Sequence, residues 1–293
     1  MLWKEYMQLC KPRVVALIVF TAVVGMFLAT PGMVPFNVLI FGSIGIGLAA
    51  ASGAAFNHVI DQRIDAIMAR TRSRPLPKGN LSSPHALVFA CGMSLLSMGI
   101  LLSLVNALTA WLSFASMVGY AVVYTVYLKR ATPQNIVIGG AAGAMPPVLG
   151  WTAVTNSIEA NALLLFLIIF VWTPPHFWAL AIHRQHDYAK ADIPMLPVTH
   201  GDSFTRLHIL LYTILLFTVS MLPFVSGMSG PVYLGGAVFL GFGFLGNSLK
   251  MYVYRQEKCL PMQTFNFSLY YLAGIFSVLL LDHYLPRGIA QAF

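Results

Sequence analysis

The chain has 293 residues, of which 58% are hydrophobic and 9% charged, with a formal charge of +8 and a mean hydropathy of +0.77. Soluble domains carry charge on roughly a quarter of their residues, so this chain cannot cover a water-facing surface and the bilayer must be its main solvent. Its basic balance would suit a nucleic-acid partner only if the charges were clustered for one; their placement excludes that reading.

Apolar runs near the spanning length of about 20 residues begin near Val14, Phe36, Pro84, Leu108, Asn135, Ala160, Leu207, Pro231 and Phe265. The expected fold is therefore all-α and polytopic, with about nine transmembrane helices. Alternating the connections between two sides places Lys4, Lys11, Arg13, Arg63, Arg70, Arg72, Arg74, Lys78, Lys129, Arg130, Arg184, Lys190, Arg206, Lys250, Arg255 and Lys258 on one side, and Arg287 alone on the other. By the positive-inside rule the first side is cytoplasmic, with the N-terminus there and the C-terminus on the outer side. One invented or missed span would scramble that sorting.

Before the first span, Lys11-Pro12-Arg13 leads directly into apolar sequence without a cleavable-signal pattern. Cys10, Cys91 and Cys259 have no CxxC or zinc spacing and read as small hydrophobes. No linker, low-complexity tract or soluble domain interrupts the chain, so residues 1–293 read as a single transmembrane domain.

Between the second and third spans, Asn57, Asp61 and Asp65 fall four apart. On a helix they stack along one face, about 6 Å of rise per step. Two like charges so placed repel unless a cation bridges them, and carboxylates with an amide oxygen suit Mg²⁺, which keeps several waters and binds substrate phosphates. The competing reading is a solvated helix end whose acids pair with Arg63 or Arg70. Directly afterwards come Arg70, Arg72, Arg74 and Lys78, in a loop stiffened by Pro75 and Pro77. Guanidinium forks match phosphate oxygens, while the bland alternative is topology or lipid-headgroup contact. Together, stripe and loop point to a Mg²⁺-diphosphate site.

In the fourth span Tyr120, Tyr124 and Tyr127 are expected on one face, as carbocation shields or as core and interface residues. The fifth opens with the Gly139–Ala144 run, read as small-residue packing. Pro174-Pro175 is expected to interrupt the sixth helix. His176 beside it is either a hydrogen-bonded core residue or a candidate heme ligand. Past that span, His183 and Asp187 are again four apart; Asp187 is a candidate second metal carboxylate, Arg184 and Lys190 candidate diphosphate ligands, and Asp192 either a site residue or an ordinary turn residue.

These residues resemble the UbiA-type intramembrane prenyltransferase superfamily that includes 4-hydroxybenzoate polyprenyltransferase. Its NxxxDxxxD motif is matched by Asn57, Asp61 and Asp65. The stretches NHVIDQRIDAIMARTRSRPLP, TPPHFWALAI and DYAKADIPMLPV, with KPRVV near the N-terminus, are similar to its protoheme IX farnesyltransferase (heme O synthase) branch. The resemblance implies nine helices around a central cavity open to the cytoplasmic side of a bacterial inner membrane. It implies Mg²⁺ as cofactor and farnesyl diphosphate and heme b as substrates, joined with addition of water to give heme O and diphosphate. Catalytic and metal roles would fall to Asn57, Asp61, Asp65 and Asp187, diphosphate binding to Arg70, Arg72, Arg74, Lys78, Arg184 and Lys190, and heme binding to His176 and His183. Membrane lipid, a heme A synthase and a terminal oxidase are the further partners implied, and no nucleic acid. One departure stands out: the superfamily's second motif is usually DxxxD, and its first position here is His183. The competing readings are a prenyltransferase for an aromatic quinone precursor such as 4-hydroxybenzoate, and, from other classes, a transporter or a heme-binding assembly factor.

Overall fold

The computed structural model describes residues 2–285, and among them every regular element is helical. Arg287, the one basic residue assigned to the outer side, lies outside the described residues. Among the described residues, eight helices are long and apolar enough to cross a membrane, and nine when the bent pair Trp3–Cys10 and Pro12–Leu28 counts as one. The eight start within six residues of the apolar runs read for them, and Pro12 of the bent pair lies two residues before Val14. The chain is a polytopic membrane protein, in two compact units.

The first unit holds, among the described residues, 2–158 and 186–194. Its helices are α1 (Leu2–Cys10), α2 (Pro12–Leu28), α3 (Phe36–Ile60), α4 (Gln62–Ile67), α5 (Ser83–Leu104) and α6 (Ala107–Val118). After α6 the chain winds as a π-helix over Gly119–Leu128, then continues as α7 (Lys129–Ala131), α8 (Asn135–Ala144) and α9 (Pro146–Thr155). Between α1 and α2, Lys11 takes a left-handed backbone, φ 50°, and the chain bends by 48°. Pro12 then occupies the first helical turn, where its missing N–H costs nothing.

With no hydrophobic drive between helices in lipid, packing and interhelical hydrogen bonds must hold them. Ser52 Oγ donates to the Ala90 carbonyl at 2.8 Å and Ser97 Oγ to the Gly45 carbonyl at 2.7 Å, tying α3 to α5. A Cβ added at Gly150 on α9 would overlap the Ala22 carbonyl of α2, and one at Gly25 the Pro147 carbonyl. Only glycine permits that backbone approach.

The second unit holds, among the described residues, 159–185 and 195–285. It contains α10 (Ala160–His183), the first residue of α11 (Gln185–Lys190), α12 (Leu196–Thr199), α13 (Gly201–Val219), α14 (Leu222–Val225), α15 (Pro231–Val253) and α16 (Leu260–Tyr284). The expected interruption of the sixth span does not occur: α10 runs on through Pro174 and Pro175. Proline's fixed φ suits a helix, and packed neighbours tolerate the lost donors. Buried Arg206 is spent internally, on Asp202 Oδ2 at 2.7 Å and the Met251 carbonyl at 2.5 Å. The carboxylate of Asp282 accepts from the backbone N–H groups of Gly230 and Tyr233, capping α15.

Candidate active site

The stripe expected from the spacing forms. A turn at Asp61 separates α3 from α4, yet the Asp61 backbone N–H bonds to the Asn57 carbonyl at 2.9 Å, and that of Asp65 to the Asp61 carbonyl at 2.8 Å. Helical winding therefore persists through the junction, and the three side chains stay in register. All three are buried, at 5%, 2% and 3% exposure, which for a carboxylate requires a partner.

The partners come from four separate stretches of the first unit. Lys129 Nζ donates to Asp61 Oδ2 at 2.6 Å, and Asn57 Nδ2 donates to the same oxygen at 2.8 Å. Asn57 Oδ1 accepts from Lys11 Nζ at 2.8 Å. Arg74 donates to Asp65 Oδ2 at 2.6 Å, while Thr71 Oγ1 donates to the Asp65 carbonyl at 3.0 Å, holding the loop against α4. Three basic side chains, Lys11, Lys129 and Arg74, face the two carboxylates or the amide between them. Neither Lys11 nor Lys129 is marked by the local acidic spacing; the available signal was the KPRVV match and the single Lys-Arg pair closing the fourth span.

Lys129 reaches Asp61 because of the π-helix. An α-helix completes a turn in about 3.6 residues, so Tyr120 and Lys129, nine apart, would face opposite ways. Winding with i→i+5 bonds takes roughly one residue more per turn, so nine residues close about two turns. The same winding corrects the tyrosine expectation. Tyr120 and Tyr124 stack at 5.8 Å with rings 13° apart, but Tyr127 is turned out at 68% exposure. The small-residue run has a definite use here, since a Cβ at Gly139 would overlap the Tyr124 ring.

Arg70, Arg72 and Lys78 are not drawn into the cluster: of the loop's four basic side chains, only Arg74 pairs with Asp61 or Asp65 among the described residues. Arg70, Arg72 and Lys78 are all exposed. In the second segment, Asp187 is half-buried and Lys190 exposed. Buried Tyr188 lies within electrostatic reach of Tyr124. Asp192 is exposed with φ 51°, the left-handed geometry of a turn that Asp tolerates, which matches its reading as a turn residue. His183 is exposed and Arg184 half-buried, both in the second unit.

His176, also in the second unit, is 6% exposed. Its ring stacks on Trp172 at 4.2 Å and on Phe265 at 4.4 Å, and Nδ1 lies 2.6 Å from Ser268 Oγ. That hydroxyl gives its own proton to the Phe265 carbonyl at 2.6 Å, so it accepts from His176. The ring thus carries its proton on Nδ1 and a lone pair on Nε2.

Among the described residues no three His, Cys, Asp or Glu side chains converge as a metal site made by protein alone. Mg²⁺ asks for less, because it keeps waters and substrate phosphates as ligands. Asp61 Oδ1 is buried with no hydrogen-bond partner, a costly state for a carboxylate oxygen and the donor type a hard cation takes. The residues present fit Mg²⁺.

The sequence profile of the UbiA prenyltransferase family matches residues 18–270. A protoheme IX farnesyltransferase of Nitrosococcus oceani is 60% identical over 285 residues, 97% of this chain and 95% of that protein. Among solved structures, one from work on digeranylgeranylglyceryl phosphate synthase aligns with TM-score 0.79 at 16% identity, over 96% of this chain and 98% of its own. A UbiA homologue from Archaeoglobus fulgidus, bound to DMAPP and Mg²⁺, aligns with TM-score 0.62 at 14% identity, over 94% and 99% of the two chains.

Proposed function

The chain belongs to the UbiA prenyltransferase family, and from that membership we propose that it transfers the farnesyl group of farnesyl diphosphate to a vinyl group of heme b. The choice of acceptor follows the relatives named for that reaction. The observation that carries the chemistry is the buried pairing of Asp61 with Lys129 and of Asp65 with Arg74.

Such a cluster suits a leaving diphosphate. Its basic side chains are placed to donate to an anion, since Lys11, Lys129 and Arg74 are already held within one hydrogen bond of the carboxylate stripe. Asn57, Asp61 and Asp65, with Asp187 of the second segment, would hold Mg²⁺, which when bound offsets the negative charge of the diphosphate and makes it a better leaving group. As charge develops on the phosphate oxygens, Lys129 and Arg74 shift part of their hydrogen bonding from carboxylate to phosphate. Preorganised donors in a dry site contribute several kcal/mol to such a step. The C1–O bond of the allylic ester breaks with its electron pair leaving on the diphosphate. Tyr120 and Tyr124 present stacked ring faces suited to the allylic cation. The heme vinyl group supplies the electrons of the new C–C bond, and water adds to the resulting cation with loss of a proton, giving a hydroxyethylfarnesyl side chain.

His176 offers a neutral Nε2 lone pair, the form an iron ligand requires, with its Nδ1 proton anchored on Ser268 in the manner of supported metal-binding histidines. We place the cluster at the cytoplasmic face of a bacterial inner membrane, on the asymmetry of Lys and Arg. The product there is available to a heme A synthase or a terminal oxidase.

The experiment is incubation of purified protein with heme b and radiolabelled farnesyl diphosphate, with 4-hydroxybenzoate as a rival acceptor. Label moving to a heme with Mg²⁺ present, and lost in Asp61→Ala and Asp65→Ala, is the expected outcome. Transfer to 4-hydroxybenzoate alone would reject the heme acceptor; normally expressed, fully active Asp variants would reject the cluster.

A further inference from the structure

Thr125 sits on the π-helix, fully buried, and its hydroxyl has two uses. It donates to the Tyr120 carbonyl five residues back, at 2.8 Å, and it accepts from Asn57 Nδ2 at 3.2 Å. Because the proton is committed to Tyr120, the oxygen faces Asn57 with lone pairs only. The Asn57 group beside it must then be the NH₂, and the amide oxygen is turned to Lys11.

Two other neighbours favour the same amide orientation, Asp61 and Lys11. Both are charged, and under the function proposed above both redirect part of their bonding toward metal or phosphate. Thr125 is neutral and buried, and faces no such competition. We propose that Thr125 is a positioning residue for the prenyl transfer, keeping Asn57 Oδ1 presented on the cation-facing side while its charged neighbours exchange partners. The i→i+5 winding makes this possible, since it places Thr125 one turn beyond Tyr120 and Lys129 one turn beyond Tyr124. Lys129 bears this out in its backbone N–H, which bonds to the Tyr124 carbonyl five residues back. One wide helical stretch thus holds the amide through Thr125 and the Asp61 carboxylate through Lys129.

The inference rests on the assigned role of Asn57, and the test separates the two. Thr125→Val keeps the volume and removes the hydroxyl, Thr125→Ala removes it with less bulk, and Thr125→Ser retains it. Each is made alone, and Thr125→Val also in an Asn57→Ala background. Turnover and KM for farnesyl diphosphate are read with heme b as acceptor. The second readout is the rise in unfolding temperature given by Mg²⁺ with inorganic pyrophosphate. Loss of a supporting group of this kind typically costs about 10–100-fold. We expect that loss in kcat/KM for both hydroxyl-free variants, with a reduced pyrophosphate-dependent thermal shift, and near-normal behaviour for Thr125→Ser. In the Asn57→Ala background Thr125→Val should cost less than about 2-fold more, as expected of residues acting through one group. Wild-type behaviour of the hydroxyl-free variants, equal damage from Thr125→Ser, or multiplying effects of the two sites would each overturn the inference while leaving the site intact. An Asn57→Ala enzyme as active as the parent would instead remove the reading beneath it, and the inference with it.

Discussion

Lys129→Met separates what the Asp61–Lys129 pair does for the fold from what it does for the reaction. The Asp61 side chain is 3% exposed and the Lys129 side chain 14%. Removing the lysine leaves Asp61 Oδ2 with the Asn57 amide alone, beside an Oδ1 that has no partner. Breaking a buried pair this way costs about 3–5 kcal/mol, and the partial exposure of Lys129 argues for the lower end, about 3 kcal/mol. At roughly 2–4 °C per kcal/mol in a long chain, the unfolding temperature should drop by about 6 °C or more. Removing both charges is far milder, because no buried ion is then left alone. Asp61→Asn with Lys129→Met should therefore return to within about 2 °C of the parent. Activity should behave differently. Losing one preorganised donor to a developing anion costs about 10²–10³-fold, and the double variant cannot restore it. The assay pairs thermal unfolding of the purified protein with chromatography of the heme product. An unchanged unfolding temperature for Lys129→Met would refute the buried pair, and recovered activity in the double variant would refute a catalytic role for these charges.

Arg74→Ala should lower product formation by about 10²-fold, whereas Arg70→Ala, Arg72→Ala and Lys78→Ala, outside the cluster, should each stay within about 5-fold in the same membrane assay. Chelation with EDTA should abolish transfer, and added Mg²⁺ should restore it; turnover that persists in metal-free buffer contradicts the assigned use of Asp61 and Asp65. His176→Ala should weaken heme binding, read by titration of the Soret band, without raising KM for farnesyl diphosphate; unaltered heme affinity would make the Trp172–His176–Phe265 stack purely structural.

The membrane-spanning pattern is legible in the sequence because it depends only on run length and charge asymmetry, which no tertiary contact overrides. The register of Asn57, Asp61 and Asp65 is legible too, since a spacing of four needs only local helical winding. What the acids pair with is not. Lys11 lies 46 positions from Asn57, and Lys129 lies 68 from Asp61, and a periodicity argument carries no information about such meetings. Tyr127 departs from its expected face for a sharper reason: one change of helical pitch, invisible in residue type, rotates every later side chain. The basic loop is legible only in part. Its four cations fall close together in sequence, but which of them pairs with the acid stripe depends on the turns that follow Met68, and among the described residues that is Arg74. Pro174 and Pro175 suggest an interruption only when propensity is weighed without the packing around α10.

The contact between α2 and α9 bears on the order in which the first unit can be assembled. Gly25 and Gly150 let two backbones meet where any side chain would intervene, and more than a third of the chain lies between them. The α2 surface made for that meeting emerges early from the ribosome and must wait, inside lipid or against a temporary neighbour, until α9 has been inserted. Domains generally complete as whole units, so a nascent chain halted before Pro146 would expose an unfilled backbone groove. Quality-control machinery that recognises unmatched transmembrane surfaces has an opportunity to act on this protein during that interval.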